Sequence, residues 1–249
     1  MAAGKRCRGF LIPGFLEIDM RYDDIHAARF IRRVNRFVAE VEIGGAVERV
    51  HVKNTGRCAE LLVPGYAVWL EKSGNANRRT AWDLIGVEKP VPGGGTRYVN
   101  MDSMAPNRAA GEWLAAGGLG PLDNLRPEVT VGDSRFDFVA EQGGRPVAIE
   151  VKGCTLERGG VALFPDAPTL RGLKHVRGLT RLAGEGWRCV LLVVIQMKGV
   201  DVFMPNRATQ PAFGEALVEA RTAGVEIVAM DCLARPGEVA IDRAVRVEI

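Results

Sequence analysis

The spacing of apolar and turn-forming residues changes near residue 100, and this change constrains the fold more than any other feature. Between residues 36 and 98, short stretches of alternating apolar and polar residues are separated by glycine-rich turns such as Gly44-Gly45. Four or five such strands within about 70 residues indicate a small barrel or sandwich. Beyond residue 107, helical stripes alternate with strands, among them the continuous apolar run Cys189–Ile195. That pattern indicates an α/β domain.

The sequence therefore predicts an N-terminal extension at residues 1–27, a β-barrel domain at residues 28–104 and a mixed α/β domain at residues 105–249. In the second domain we expect helices at 107–117, 166–183 and 212–223, with Asp166 as the N-cap of the second. We expect strands at 129–141, 146–156, 189–195 and 225–230, and the last of these should be the final strand.

Basic residues are concentrated in the first part of the chain. Of 33 Lys and Arg and 30 Asp and Glu residues, 16 basic and 11 acidic ones lie within residues 1–100. Arg29, Arg32, Arg33 and Arg36 fall within eight residues. Such a cluster can bind nucleic-acid phosphates and release their counterions, although a solvated basic face is an equally good interpretation. We expect salt-dependent, weakly sequence-selective DNA binding that is carried largely by the barrel.

Membrane insertion and a disulfide framework are not expected. The longest apolar run has seven residues, and a membrane span needs about 18. The five cysteines are widely spaced and form no C-x-x-C pair, so a thiolate zinc site is not expected either. We therefore expect a protein of the reducing cytoplasm.

Two acids and a lysine share one face of a predicted hairpin in the second domain. If Gly143-Gly144 forms the two-residue turn that glycines favour, Asp137 lies directly opposite Glu150. Lys152 is two residues from Glu150 and shares its face, because side chains alternate along a strand. The other face should then be apolar and carry Phe136, Phe138, Ile149 and Val151.

This cluster suggests a metal site. Like charges directly opposite each other destabilise a sheet, and a hard divalent cation between Asp137 and Glu150 would remove that penalty. We predict that they bind Mg²⁺ or Mn²⁺ and, with Lys152 supporting the attacking water, form the catalytic group of a phosphodiesterase. Asp137→Asn should then leave the metal-free protein no less stable. The pattern also fits a plain ion pair between Lys152 and either acid.

Several short motifs, in a fixed order between roughly residues 30 and 230, carry a resemblance to a known family. They are Arg33-Val34-Asn35-Arg36-Phe37, Asn54-Thr55-Gly56-Arg57, Pro106-Asn107, Ser134-Arg135-Phe136-Asp137-Phe138, Glu150-Val151-Lys152, Phe164-Pro165-Asp166-Ala167 and Lys174-His175. Together they resemble the sugar fermentation stimulation protein A family of bacteria and archaea. Lys53 and Cys58 depart from the family's usual Pro and Met, and about the first 25 residues have no match.

The resemblance implies an OB-like barrel followed by a PD-(D/E)XK nuclease-like domain. It also implies DNA as the partner and a role in regulating sugar metabolism genes. By the same resemblance, Glu128 should help to hold the metal, although a strand-entry charge is an equal interpretation. Gln196 ends a buried strand where such folds place a polar group at the site.

Two segments are candidates for contacts with nucleic acid. The loop Asn54-Thr55-Gly56-Arg57 offers backbone N–H groups, a hydroxyl and a guanidinium to a phosphate, or it is a structural turn. The helix expected from Asp166 carries polar side chains on its non-apolar side. The full predicted set is Arg33, Arg36, Lys53, Asn54, Thr55, Arg57, Arg171, Lys174 and His175.

Three classes of function remain open at this point. They are a metal-dependent nuclease, a non-catalytic DNA-binding regulator, and a small-ligand or structural protein. Intact Asp137, Glu150 and Lys152 favour retained chemistry, but a fold by itself does not establish activity. DNA binding is favoured by the basic residues, whereas hydrolysis depends on the acidic pair.

Overall fold

The first domain is a closed barrel. In this computed structural model, which describes residues 20–54, 56–75 and 77–249, it consists of β1 (Ile25–Asn35), β2 (Val38–Ile43), β3 (Ala46–Val52), β4 (Ala67–Lys72), β5 (Trp82–Pro90) and β6 (Thr96–Asn100). The strand order is β3-β2-β1-β4-β5-β6, and an additional pairing of β3 with β5 closes β1 to β5 into a five-stranded barrel. The predicted OB-like barrel is therefore confirmed.

Strand β1 was not among the predicted strands. It begins at Ile25, three residues before the predicted start of the barrel, and residues 1–19 of the predicted extension lie outside the described residues. Its pairing with β2 shifts register between Phe30 and Arg32 and again between Arg33 and Asn35. Such irregularities break the alternation of side chains that identifies a strand in a sequence. The basic cluster therefore belongs to a barrel strand.

The second domain is built on a mixed sheet. Its elements are α1 (Ala105–Ala115), β7 (Asp123–Val131), β8 (Ser134–Gln142), β9 (Arg145–Cys154), β10 (Leu156–Arg158), β11 (Val161–Phe164), α2 (Leu170–Gly184), β12 (Arg188–Ile195), β13 (Val202–Pro205), α3 (Pro211–Thr222), β14 (Glu226–Arg235) and β15 (Glu238–Val247). Among the described residues the sheet order is β10-β11-β13-β15-β14-β12-β9-β8-β7. The central strands β9, β12 and β14 are parallel.

Helices cover both faces of this sheet. Leu114 of α1 packs in one apolar core with Phe138 and Ile149. Leu179 of α2 packs in the other core with Phe136. Each fully buried side chain of this size contributes about 1.5–3 kcal/mol, so the two cores fix the positions of α1 and α2 on the sheet.

Four sequence-based expectations for this domain are wrong. The strand expected at 129–141 is divided into β7 and β8 by a turn in which Gly132 has a φ of 61°. Thr169, not Asp166, caps α2, because its Oγ1 accepts the N–H of Gly172 at 2.9 Å. Phe136 does not share a face with Phe138, since the two pack in different cores. Strand β15 follows the strand that was expected to be last.

A cluster of charged groups joins the two domains. The Glu157 carboxylate on β10 receives Lys89 of β5 and Arg97 of β6, each at 2.8 Å. It also accepts the N–H of Gly160 at 2.7 Å. Burial alone would raise the pKa of Glu157, but these partners outweigh it and lower the pKa to about 2. The barrel is therefore held against the second domain by an ionised carboxylate.

The longest helix of the described residues, α2, has 15 residues. Within that part of the chain, no helix has the length and apolar character needed to cross a membrane.

Candidate metal and nucleic-acid site

The predicted hairpin register is confirmed over the part that pairs. Gln142 pairs with Arg145, and the ladder continues to Phe138 opposite Ile149. Gly143 and Gly144 have φ values of 57° and 79°, which fits a two-residue turn with both central residues left-handed. The paired ladder stops one position before the two acids, so the strands part where the candidate site begins.

Asp137 ends the ladder by using its side chain as an acceptor. Its Oδ2 accepts the N–H of Val151 at 2.7 Å, and its Oδ1 accepts Nδ2 of Asn107, on α1, at 2.7 Å. Burial and the Glu150 carboxylate raise the pKa of Asp137 above its ordinary value. Because both oxygens accept N–H groups, Asp137→Asn would bring a donor against a donor. The expectation that this change costs no stability is therefore revised.

Glu150 is 1% exposed, and its two oxygens have different surroundings. Oε1 accepts the ammonium group of Lys152 and the Nδ1–H of His175, on α2. Oε2 is buried and, within the part of the chain that the structure describes, has no hydrogen-bond partner. Burial alone would raise the pKa of Glu150, but His175 and Lys152 outweigh it and lower the pKa. A buried, ionised carboxylate with one unpaired oxygen costs free energy unless a further positive group satisfies it.

Only two acids, Asp137 and Glu150, are brought together at this site among the described residues. Among the described residues, no group of three or more His, Cys, Asp or Glu side chains is arranged to hold a metal ion. Glu128, expected as a third ligand, has a φ of 53°, and its side chain is 62% exposed and paired with Arg135. A cation bound to Asp137 and Glu150 would therefore take its other ligands from water or substrate.

Arg33 has all of its donors occupied by the backbone. Its five N–H groups donate at 2.7–3.2 Å to the carbonyl oxygens of residues 35, 36, 54, 56 and 57. An arginine has five such donors and no acceptor. Arg33 therefore ties the loop after β3 to strand β1, and this use leaves no N–H for a phosphate.

Of the other predicted residues in the loop after β3, some are bonded within the protein and one has an exposed guanidinium. Lys53 Nζ lies 2.8 Å from Asp102 Oδ2, and Asn54 Oδ1 accepts the N–H of Gly56 at 2.8 Å. Thr55 lies outside the described residues. Arg57 is exposed, and within the described part of the chain its guanidinium has no ion-pair partner, while its backbone N–H donates to Asp166 Oδ2 at 3.0 Å. The loop is thereby fixed to the second domain.

The remaining basic side chain of the predicted barrel set is Arg36. It is exposed, and its guanidinium lies 4.7 Å from the centre of the Phe37 ring. By contrast Arg32 and Arg49, which we call the barrel pair, both form ion pairs with Glu40 at 2.8 and 3.4 Å. Several basic side chains of the barrel therefore form ion pairs within the barrel and are not free to bind phosphate.

Helix α2 carries four basic and no acidic residues in 15 positions. Arg171 is exposed without an ion-pair partner among the described residues, and Lys174 Nζ donates to the Asp133 carbonyl at 2.8 Å. His175 is 7% exposed and contacts Glu150, so it lies behind the carboxylate and away from the outer face of the helix. The same helix therefore positions Glu150 and presents positive charge to solvent.

Two residues of the site were missed as site residues by sequence reasoning. Asn107, in a motif that carried the family resemblance, holds Asp137 from α1. Arg177 is exposed on α2, one turn beyond Lys174. The sequence pattern could have identified Arg177, because basic residues recur every three or four positions from Arg171 through Lys174 to Arg181.

The fold and the side-chain cluster define a class, a two-domain protein in which an OB-like barrel precedes a sheet-rich α/β domain. A family model described as the SfsA N-terminal OB domain matches residues 31–101. Another, described as the sugar fermentation stimulation protein RE domain, matches residues 104–238. The first match covers the barrel and the second covers the α/β domain, in agreement with the architecture described above.

Similar proteins cover almost the whole chain. A sugar fermentation stimulation protein homolog of Desulfitobacterium hafniense is 48% identical over 213 residues, which is 86% of this chain and 91% of that protein. A homolog from Ruminiclostridium cellulolyticum is 45% identical over 231 residues, 92% and 100% of the two chains. The solved structure of Pyrococcus furiosus SfsA in complex with Ca²⁺ superposes with a TM-score of 0.79 at 31% identity and covers 92% of this chain and 98% of that one. The chain belongs to the sugar fermentation stimulation protein family.

Proposed function

We propose that this protein binds DNA and hydrolyses phosphodiester bonds at a divalent-cation site formed by Asp137 and Glu150. The observation that carries the proposal is the buried Oε2 of Glu150, which has no hydrogen-bond partner among the described residues. Burial and the charge of Glu150 raise the pKa of the neighbouring acid, Asp137. A cation between the two acids would satisfy that oxygen and remove their repulsion.

The donor set fits Mg²⁺ or Mn²⁺. Hard cations prefer carboxylate oxygens, and Mg²⁺ in phosphate chemistry is commonly held by one or two carboxylates, waters and the substrate. The archaeal relative of known structure was solved in complex with Ca²⁺, another cation that takes oxygen ligands. When bound, such a cation would polarise a phosphoryl oxygen and lower the pKa of a coordinated water.

The protein's own residues would hold and orient the reacting groups. Asn107 fixes the Asp137 carboxylate, and His175 fixes Glu150 from the opposite side. Lys152 gives one N–H to Glu150 Oε1 and has two more to offer. Those donors could orient an attacking water or neutralise a phosphate oxygen, and the half-buried position of Lys152 limits competition from solvent.

Helix α2 supports a phosphate-binding surface next to this site. Arg171 and Arg177 are exposed and free of ion pairs among the described residues, and Lys174 lies between them along the helix. His175 contacts the Glu150 carboxylate from the inner side of this helix, so DNA bound along the outer face would lie within about one helix diameter, ~10 Å, of the site. Each phosphate met by a basic side chain releases counterions and strengthens binding.

The barrel contribution is narrower than the basic excess suggested. Arg36 and Arg57 are exposed and stay in the proposed DNA contact set. Arg33 and Lys53 are bonded within the protein, so we propose that they position the loop of residues 53–57 rather than contact phosphate directly. Asn54, through its bond to Gly56, has the same proposed role.

A cleavage assay tests this proposal. Labelled single- and double-stranded DNA is incubated with the wild type in Mg²⁺, in Mn²⁺ and in EDTA, and with Lys152→Ala and the control variant Arg49→Ala. We expect cleavage with a divalent cation, loss in EDTA, a loss of at least about 100-fold in Lys152→Ala and no change in Arg49→Ala. No cleavage under any condition, or equal cleavage by Lys152→Ala, would contradict hydrolysis at this site.

A non-catalytic DNA-binding regulator of sugar metabolism genes is the second candidate. The observation that favours it is that both oxygens of Asp137 already accept N–H groups while Lys152 is paired with Glu150. This arrangement gives Glu150 a counter-charge and both oxygens of Asp137 a donor without a metal. DNA binding that is unchanged by EDTA, together with no cleavage, would favour this candidate.

The cysteines support the proposed cytoplasmic location. Within the described residues, Cys58, Cys154, Cys189 and Cys232 are free and buried. Free thiols of this kind are ordinary in a reducing compartment, where disulfides are rare.

A further inference from the structure

A cavity of about 350 Å³ lies between the two domains, at the carboxyl ends of the parallel strands β9 and β12. The barrel contributes Asn54 and Gly56, and the second domain contributes Gly153, Gln196 and the segment at residues 163–169. Open α/β sheets bind ligands in the crevice beyond the carboxyl ends of their strands. Small-molecule sites have volumes of about 300–1,000 Å³, so this cavity is large enough for one small ring system.

Both walls of the cavity are held in place. Asp166 Oδ2 accepts the N–H of Arg57 at 3.0 Å. A Cβ atom at Gly56 would lie 2.4 Å from that same oxygen, so a larger residue could not approach Asp166 this closely. A Cβ atom at Gly153 would lie 2.6 Å from Pro106 Cγ. The cavity is therefore a formed feature of the domain interface.

The lining selects against phosphate. Among the described residues that line it, Asp166 is the only charged one, and none is a lysine or an arginine. Leu156, Leu163, Phe164 and Pro165 supply apolar surface. A carboxylate beside apolar walls suits a neutral planar ring that carries N–H donors, because the ring packs against the apolar side chains while the donors reach the carboxylate.

We propose that this cavity binds one unpaired nucleobase with an exocyclic amino group, taken from the DNA strand that the Glu150 site acts on. This inference rests on the proposed function. The placement follows from β9, where Gly153 lines the cavity and directly follows Lys152. Glu150 is three residues from Gly153, about 10 Å at the usual rise of a strand. A strand whose phosphate reaches Lys152 can thus direct a neighbouring base into the cavity, with its amino group on Asp166.

The test compares three single-stranded oligonucleotides of equal length: oligo-dC, oligo-dT and an oligonucleotide with abasic sites. Affinities are measured in EDTA, which prevents metal-dependent cleavage. Ala167→Leu fills the cavity from its lining, Asp166→Asn replaces an acceptor by a donor while keeping an oxygen for Arg57, and Ala208→Leu is a control of equal size at an exposed turn. Melting temperatures of all variants establish that they fold.

The wild type should bind oligo-dC at least about tenfold more tightly than the abasic strand, because a stacked base contributes on that scale, and more tightly than oligo-dT. Asp166→Asn should remove the preference for dC over dT. Ala167→Leu should bring dC to the abasic level without weakening abasic binding, and Ala208→Leu should behave as wild type.

Three results would overturn the inference. Equal, salt-dependent binding of all three strands by the wild type would remove the base site and leave the proposed DNA binding intact. A preference for dC that a folded Ala167→Leu variant retains would place the base elsewhere. Absence of binding to every strand, both in EDTA and after Ca²⁺ is added, would reject the proposed DNA binding and the base site with it.

Discussion

Replacing Arg33 distinguishes a residue that positions a loop from one that binds phosphate. Arg33→Lys keeps the positive charge but loses the planar fork that reaches five carbonyl oxygens. Hydrogen bonds from a charged group contribute about 1.5–3 kcal/mol each when buried. Here the guanidinium is half-buried and the bonds are coupled, so we expect a total loss of about 2–4 kcal/mol for Arg33→Ala. A lysine can restore one or two of the five bonds, so Arg33→Lys should lose most of this free energy.

Urea denaturation measures the loss, and a DNA titration at several salt concentrations measures the role in binding. For a chain of this size, 1 kcal/mol corresponds to about 2–4 °C in melting temperature, so Arg33→Ala should melt about 5–15 °C lower. Arg36→Ala is the matched control, because Arg36 is nearby and exposed, and it should change stability by less than about 0.5 kcal/mol. An Arg33→Lys variant of wild-type stability would contradict a loop-positioning role, above all if Arg33→Ala weakened DNA binding and reduced its salt dependence.

Three further changes test other parts of the account. Glu157→Gln should lower the free energy of unfolding by about 2–3 kcal/mol at pH 7, since it leaves two partly buried cations without their carboxylate. The extra stability of the wild type is complete above pH 4.5 and is lost as the pH falls toward about 2, where Glu157 is protonated. Denaturation of both proteins at pH 7 and at pH 3 measures this difference. Replacing Arg171 and Arg177 together by Ala should reduce the slope of log affinity for duplex DNA against log salt by about 1.8. Replacing the barrel pair, Arg32 and Arg49, by Ala should leave that slope unchanged. Equal slopes in both variants would argue against DNA binding by α2. Asp137→Asn should destabilise the metal-free protein by about 1–3 kcal/mol, and a melting temperature at or above the wild type would mean that its two accepted hydrogen bonds contribute little.

Much of the fold follows from local patterns that need no knowledge of distant contacts. The Gly143-Gly144 turn, with both residues left-handed, sets the register of the hairpin as predicted from Gln142 opposite Arg145 to Phe138 opposite Ile149, and the pairing ends one position before Asp137 and Glu150. The barrel, the three helices expected in the second domain and the continuous apolar strand β12 are also found among the described residues. These features depend on the period of side chains along one element.

The expectations that are wrong or revised depend on contacts that no local sequence pattern identifies. Asp166 looked like a helix cap, but its carboxylate accepts a backbone N–H from Arg57, 109 positions away. Arg33 looked like a phosphate ligand, but its acceptors are carbonyl groups, which every residue has and no sequence pattern identifies. Phe136 changes face because the regular pairing with β9 stops at Phe138, where the Asp137 side chain takes over an acceptor role.

Calorimetric titration of Mn²⁺ measures whether Asp137 and Glu150 bind a divalent cation. The wild type, Glu150→Gln and Lys152→Ala are freed of metal with EDTA, dialysed and titrated with and without DNA. We expect one cation per chain for the wild type and at least about tenfold weaker binding for Glu150→Gln, because a carboxylate ligand is lost. Lys152→Ala should retain cation binding. A wild type that binds no cation even with DNA, or a Glu150→Gln variant that binds it equally well, would rule out this cation site and leave Lys152 as the counter-charge of Glu150.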